Sequence, residues 1–178
     1  MARDAPSPPS DAAYRFERLY RACYQDLLGY ALRRTDPPEA AADVVADVFL
    51  VAWRRIDEIP PDQARPWLFG VARKVMANHH RADRRSLDLA ARLRRELARV
   101  DTVEPDVPPE IGRALRSLPE ADQELLRLVA WESLTADELA VALDCTVNAA
   151  RIRLHRARRR FAEALREPSL NSSSRRDT

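Results

Sequence analysis

Residues 135 to 161 read TADELAVALDCTVNAARIRLHRARRRF, and the order of signals in this stretch decides the fold. Thr135 stands three residues before Glu138, the spacing of a capping box. A short helix is therefore expected from about Ala136 through Leu139 and Leu143. Asp144, Cys145 and Thr146 follow as a tight turn, with Asp144 where a left-handed backbone is tolerated. A longer basic helix is expected from about Val147 to Leu165. Short helix, three-residue turn and longer helix form the helix-turn-helix outline.

At about 100° per residue, Ala150, Leu154, Ala157, Phe161 and Leu165 share one stripe of the last helix, which must face the core. Asn148, Ala149, Ile152, His155, Arg156, Arg159 and Arg160 point away from it, with Arg151, Arg153 and Arg158 on the flanks. Arginines around an exposed isoleucine suit the major groove, because Arg pairs bidentately with guanine and an aliphatic group meets a thymine methyl. A solvated basic face is the plainer alternative. The capped helix and turn in front favour DNA.

Working outward, Pro119 opens a helix with Glu120 and Asp122 in its first turn, and a shorter one runs from Ile111 to Ser117. Upstream, DTVEPDVPPE (101–110) holds three prolines and four acids and reads as a linker. Residues 84 to 100 form an amphipathic helical extension with Leu89, Leu93, Leu97 and Val100 on one side. Before it, Trp67, Leu68, Val71, Ala72, Val75 and His79 make the stripe of a helix that starts after the break at Pro60 and Pro61. Arg73, His80, Arg81 and Arg84 lie opposite, with Lys74 and Trp67 at the margins. Cations beside aromatics suit single-stranded nucleic acid, where bases stack on rings; Trp67 and Phe69 as plain core fit equally well. Two further helices precede it, from Tyr14 to about Arg34 and from about Pro38 to Ile56. The second carries Val44, Val48, Val51 and Trp53 ringed by Glu39, Asp43, Asp47, Asp57, Arg54 and Arg55, which is either a partner site or a fully surrounded bundle helix. By residues alone the bundle helix is the simpler choice.

Charge divides the chain in the same places. The 178 residues carry 30 basic and 28 acidic groups, net +2. Residues 61–100 hold 10 basic and 4 acidic groups, 101–150 hold 3 and 11, and 151–178 hold 9 and 3. Two basic blocks separated by an acidic one imply two polyanion-facing surfaces. Three glycines and short β-branched runs argue against sheet, so the class is all-α: two small helical domains joined by an acidic, Pro-containing linker. Cys23 and Cys145 cannot make a disulfide framework, and His79, His80 and His155 do not join them in a ligand set, so no metal is expected. No cofactor is expected either. Hydrolase, P-loop, HExxH and dinucleotide fingerprints are missing, which argues against an enzyme or a small-molecule substrate. No apolar run approaches the roughly 20 residues of a membrane span, and the N-terminus has no apolar leader core, so a cytoplasmic protein with no membrane insertion is expected.

In order and spacing these pieces resemble the extracytoplasmic-function (ECF, group 4) sigma factors of bacterial RNA polymerase. DVVADVFLVAWRR (43–55) is similar to region 2.2, ARPWLFGVARKVMANHHR (64–81) to regions 2.3 and 2.4, and residues 117 to 161 to region 4. Composition makes 1–11 and 168–178 disordered tails, the second too short for a further domain, and between them the resemblance implies sigma region 2 at 12–84, extension and linker at 85–110 and sigma region 4 at 111–167. It implies that Asp43, Val44, Asp47, Val48, Trp53 and Arg54 bind the clamp helices of the largest polymerase subunit. Ile59, Arg65, Trp67, Arg73, Lys74, Asn78 and Arg81 would hold the minus-10 element and a flipped base. Asn148, Arg151, Ile152, His155, Arg156 and Arg159 would read the minus-35 element as duplex. An anti-sigma factor is the further partner implied. Family members often carry Gly at the positions of Asp144 and Asn148 and Thr at that of Ala149; Asp and Asn tolerate the left-handed region, so the turn should survive. The competing function is a stand-alone helix-turn-helix repressor or activator whose N-terminal bundle dimerises or senses a ligand, and a repressor of this kind would bind a palindrome as a dimer. A helical adaptor with no DNA role is a third.

Overall fold

The computed structural model describes residues 11–86 and 108–166, with side chains for all of these but 80 and 82–86. Among them no strand occurs, and they fall into two compact units, one on each side of the 86/87 boundary. The tails, the extension beyond Ser86 and most of the acidic linker lie outside the described residues, as do the side chains of His80 and Arg84.

In the first unit α1 spans Asp11–Leu32, α2 spans Ala40–Arg54, a 3-10 turn covers Ile56–Glu58, and α3 spans Ala64–Ser86. Helix α1 begins three residues before the expected Tyr14, and α3 begins directly after the Pro60-Pro61 break. The three helices pack on one another around Leu27, Tyr30, Val44, Val48, Leu68 and Phe69, all fully buried. Ala31, Ala41 and Ala52, also fully buried, let the backbones approach closely. Each large aliphatic chain so covered contributes about 1.5–3 kcal/mol. Arg15 on α1 holds the 3-10 turn, donating to the Ile56 carbonyl and pairing with Asp57 at 3.0 Å.

The second unit contains α4 (Pro109–Arg116), α5 (Glu120–Ala130), α6 (Ala136–Ala142) and α7 (Val147–Arg166). Helix α7 packs on the other three through Ala150, Leu154 and Ala157, which are buried beside Leu125, Leu128 and Leu139. The Gln123 side-chain amide donates to the Leu118 carbonyl at 2.9 Å and closes the α4–α5 corner. The expected apolar stripe on α7 fades toward its end: Phe161 is half-buried and Leu165 is 44 % exposed. Twenty residues run for about 30 Å, and partners of 7, 8 and 11 residues cannot cover that length.

Candidate nucleic-acid interface

Local chemistry fixes how α7 is presented. The capping box at α6 is complete: the Glu138 amide donates to Thr135 Oγ1 at 3.2 Å, and the Thr135 amide donates to Glu138 Oε2 at 2.8 Å. At the other end Asp144 takes φ 53°, its amide donates to the Val141 carbonyl, and the Cys145 amide donates to the Ala140 carbonyl at 2.9 Å. This is the Schellman closure, with Asp in the place usually held by Gly. Two residues on, Thr146 Oγ1 accepts from the Ala149 amide at 3.2 Å and caps α7. The Thr146 cap went unread in the sequence, although a Thr just before the helical run is its ordinary signal. Asn148 sits in the first turn of α7 and needs no left-handed backbone.

All six residues expected to read duplex DNA are exposed on α7: Asn148, Arg151, Ile152, His155, Arg156 and Arg159. Among the described residues His155 and Arg156 make no hydrogen bond or ion pair. Arg151 lies 3.4 Å from Asp137 on α6, and Arg159 lies 3.5 Å from Glu163. An exposed ion pair contributes about 0–1 kcal/mol, whereas a bidentate base contact discriminates by about 1–3 kcal/mol. Neither pair is strong enough to keep its arginine from a bidentate partner. Arg160 differs: it pairs at 2.5 Å with Asp122, whose carboxylate is largely covered, and so braces α7 against α5.

On α3, Trp67, Lys74, Asn78 and Arg81 fall within about 60° of one another around the axis. Lys74, Asn78 and Arg81 are exposed and Trp67 is half-buried, with the Arg81 guanidinium donating to Asn78 Oδ1 at 2.5 Å. The other three residues expected at the minus-10 site are placed differently. Ile59 is buried in the first unit's core. Arg65 is drawn to Asp26 on α1 at 2.7 Å and lies over the Phe69 ring. Arg73 is half-buried, and its Nε is covered without a hydrogen-bond partner. The same corner holds Cys23, whose thiol is pushed up from 9.0 by burial and by Asp26, with Arg65 opposing.

Helix α2 presents Asp43, Asp47, Trp53 and Arg54 to solvent. Val44 and Val48 are a correction: expected on the outer face, they are 1 % and 0 % exposed, because α2 lies between α1 and α3 and spends those positions on the core. Beside the exposed charges lies an aromatic cluster built on the buried Phe49, with Tyr20 and Trp53 open to solvent. Tyr20 and Tyr24 of α1 meet Phe49 of α2 at ring distances of 4.6 and 6.4 Å, and Trp53 packs edge-on to Phe16 at 5.2 Å, with Leu50 exposed alongside. This cluster was missed in the sequence; its signal was three aromatic pairs at four-residue spacing, Phe16 with Tyr20, Tyr20 with Tyr24 and Phe49 with Trp53.

Among the described residues no three His, Cys, Asp or Glu side chains converge as metal ligands, and no helix is long and apolar enough to cross a membrane. Residues 19–86 match the family model of sigma-70 region 2, and residues 109–161 match that of sigma-70 region 4. The ECF RNA polymerase sigma factor SigL of Mycobacterium tuberculosis is 30% identical over 186 residues, covering 94% of this chain and 97% of that protein. The solved structure of CnrH in complex with the cytosolic domain of CnrY is similar with a TM-score of 0.59 at 29% identity, covering 86% of this chain and 94% of that one. The sigma factor RpoE of Bartonella quintana, solved with the anti-sigma factor NepR, shares the fold with a TM-score of 0.57 at 20% identity, covering 84% and 96%. These likenesses take in both units, the first as sigma region 2 and the second as sigma region 4.

Proposed function

The chain belongs to the ECF RNA polymerase sigma factors, and from that premise we propose how its surfaces divide the work of promoter recognition. As an alternative sigma factor it joins core RNA polymerase to promoter DNA and starts transcription. Helix α7 enters the major groove of the minus-35 element with Arg151, Ile152, His155 and Arg156 toward the base edges, while Asn148 and Arg159 hold the backbone. The stripe of Trp67, Lys74, Asn78 and Arg81 on α3 receives the single strand of the minus-10 element, with the ring for a base and the cations for phosphates. Ile59, through its burial in the core, and Arg65, through its pair with Asp26, help to hold α3 in place on the first unit. Unstacking a base costs a few kcal/mol, which contacts in the site offset, so melting needs no ATP. Asp43, Asp47, Trp53 and Arg54 dock on the clamp helices of the largest subunit, with Val44 and Val48 acting from the core behind them. The protein works in the cytoplasm and has no catalytic step of its own. Because CnrH is solved with the cytosolic domain of a second protein, an anti-sigma factor is the partner proposed for the chain away from polymerase.

The observation that carries this division is the pair of separate cation-bearing stripes, one on α3 beside an indole and one on α7 behind a capped turn. The discriminating experiment is a gel-shift with promoter duplex and the purified chain, with and without core polymerase. Retention that requires core fits this division. A stand-alone regulator would instead shift a palindromic duplex by itself as a dimer.

A further inference from the structure

We infer that Arg55 is a further single-strand contact of the minus-10 site, held in reserve by Glu58. This rests on the assignment of α3 and the loop before it to single-stranded promoter DNA. Arg55 caps the C-terminus of α2 and Trp67 lies in the first turn of α3, so the two residues meet across the intervening loop. The guanidinium carbon of Arg55 lies 5.5 Å from the centre of the Trp67 ring, within cation–π range. Nε and Nη2 of the same guanidinium donate to Oε2 of Glu58 at 2.8 and 2.6 Å.

This geometry has two consequences. A base that approaches Trp67 meets the guanidinium of Arg55 lying over the same ring, so the phosphate attached to that base comes within reach of its planar fork. The fork matches phosphate oxygens as well as it matches a carboxylate. Glu58, however, carries like charge to that phosphate, so the DNA must take Arg55 from it. The two side chains remain 51% and 60% exposed, and an ion pair so open to water exchanges readily for another anion. Arg55 is thus kept ordered over the ring in the free chain and passes to the strand when the strand arrives. Glu58 biases the site against anions that bring no base to stack.

The test uses holoenzyme assembled from the full chain and core polymerase, on a promoter fragment isolated from genomic DNA by run-off transcription with the wild-type protein. Permanganate reactivity of thymines in the melted strand reads open-complex occupancy, and co-elution reads core binding. Arg55→Ala is expected to lower occupancy about tenfold with core binding intact. Arg55→Lys should fall between, because an ammonium keeps the charge and loses the fork. Glu58→Gln should raise occupancy about threefold, a gain that no misfolding could produce. Wild-type occupancy in Arg55→Ala, with Trp67→Ala impaired, would overturn the contact. Unchanged or lower occupancy in Glu58→Gln would overturn the reserve. Wild-type occupancy in both Arg55→Ala and Trp67→Ala would mean that the assignment of α3 itself had failed.

Discussion

Asp47 on α2 and His79 on α3 meet with Oδ2 and Nε2 2.8 Å apart. The helix proposed to dock on polymerase is therefore joined, side chain to side chain, to the helix proposed to hold the melted strand. Asp47 is half exposed, so its carboxylate can face a partner while it holds His79.

Asp47→Arg should abolish co-elution with core polymerase and leave the fold intact. The lost pair is exposed and is worth about 0–1 kcal/mol, so urea denaturation should show a change no larger than that. His79→Ala, which breaks the same pair without reversing a charge on α2, should keep core binding. If Asp47→Arg still supports full promoter-directed transcription, the polymerase face lies elsewhere.

Arg156→Ala should cost about 1–3 kcal/mol of binding at one specific base pair of the minus-35 element and relax specificity there. A competition series of single-base promoter variants against wild-type and mutant holoenzyme measures this. A uniform loss over all variants would instead make Arg156 a phosphate contact.

Thr135→Ala removes one half of the capping box in front of α6 and should lower stability by about 1 kcal/mol. Thr135 is exposed and makes no core contact that Ala would vacate. Chemical denaturation of the full chain tests this, and an unchanged midpoint would show that the cap contributes nothing to stability.

Burial raises the Cys23 thiol above its ordinary 9.0, with Asp26 adding to the effect. Since the raised value belongs to the folded state, the stability it contributes is fully present below the ordinary thiol range and is lost as pH rises through the folded value. Cys23 should resist a thiol-exchange reagent at pH 8 while the half-buried Cys145 reacts first. Rapid labelling of both cysteines in the native protein would contradict the burial.

What could be read from sequence follows the range of the interactions involved. The helix-turn-helix was legible because its signals are local: Thr135 with Glu138, and Asp144 in the turn, lie within a few residues of the bonds they make. The outward face of α7 was legible for the same reason, since a polar helix with one apolar stripe has only one orientation on a core. Helix α2 was not, because apolar residues surround most of it and periodicity alone cannot say which of them face α1 and α3. The residues alone favour a surrounded bundle helix, which agrees with the burial of Val44 and Val48; it is the resemblance that assigns these two to the polymerase face, and neither reading reveals the aromatic cluster. Arg65 and Ile59 were misplaced for a related reason: the Arg65–Asp26 pair spans 39 residues, and the covering of Ile59 depends on how the three helices pack.

The most direct test of the central claim is run-off transcription with purified core polymerase, with and without the chain, on a template carrying the region upstream of its own gene. The division of labour among α2, α3 and α7 predicts discrete transcripts only when the chain is present, lost in Asp47→Arg and weakened in Trp67→Ala and Arg156→Ala. No transcript together with no co-elution with core polymerase would contradict it.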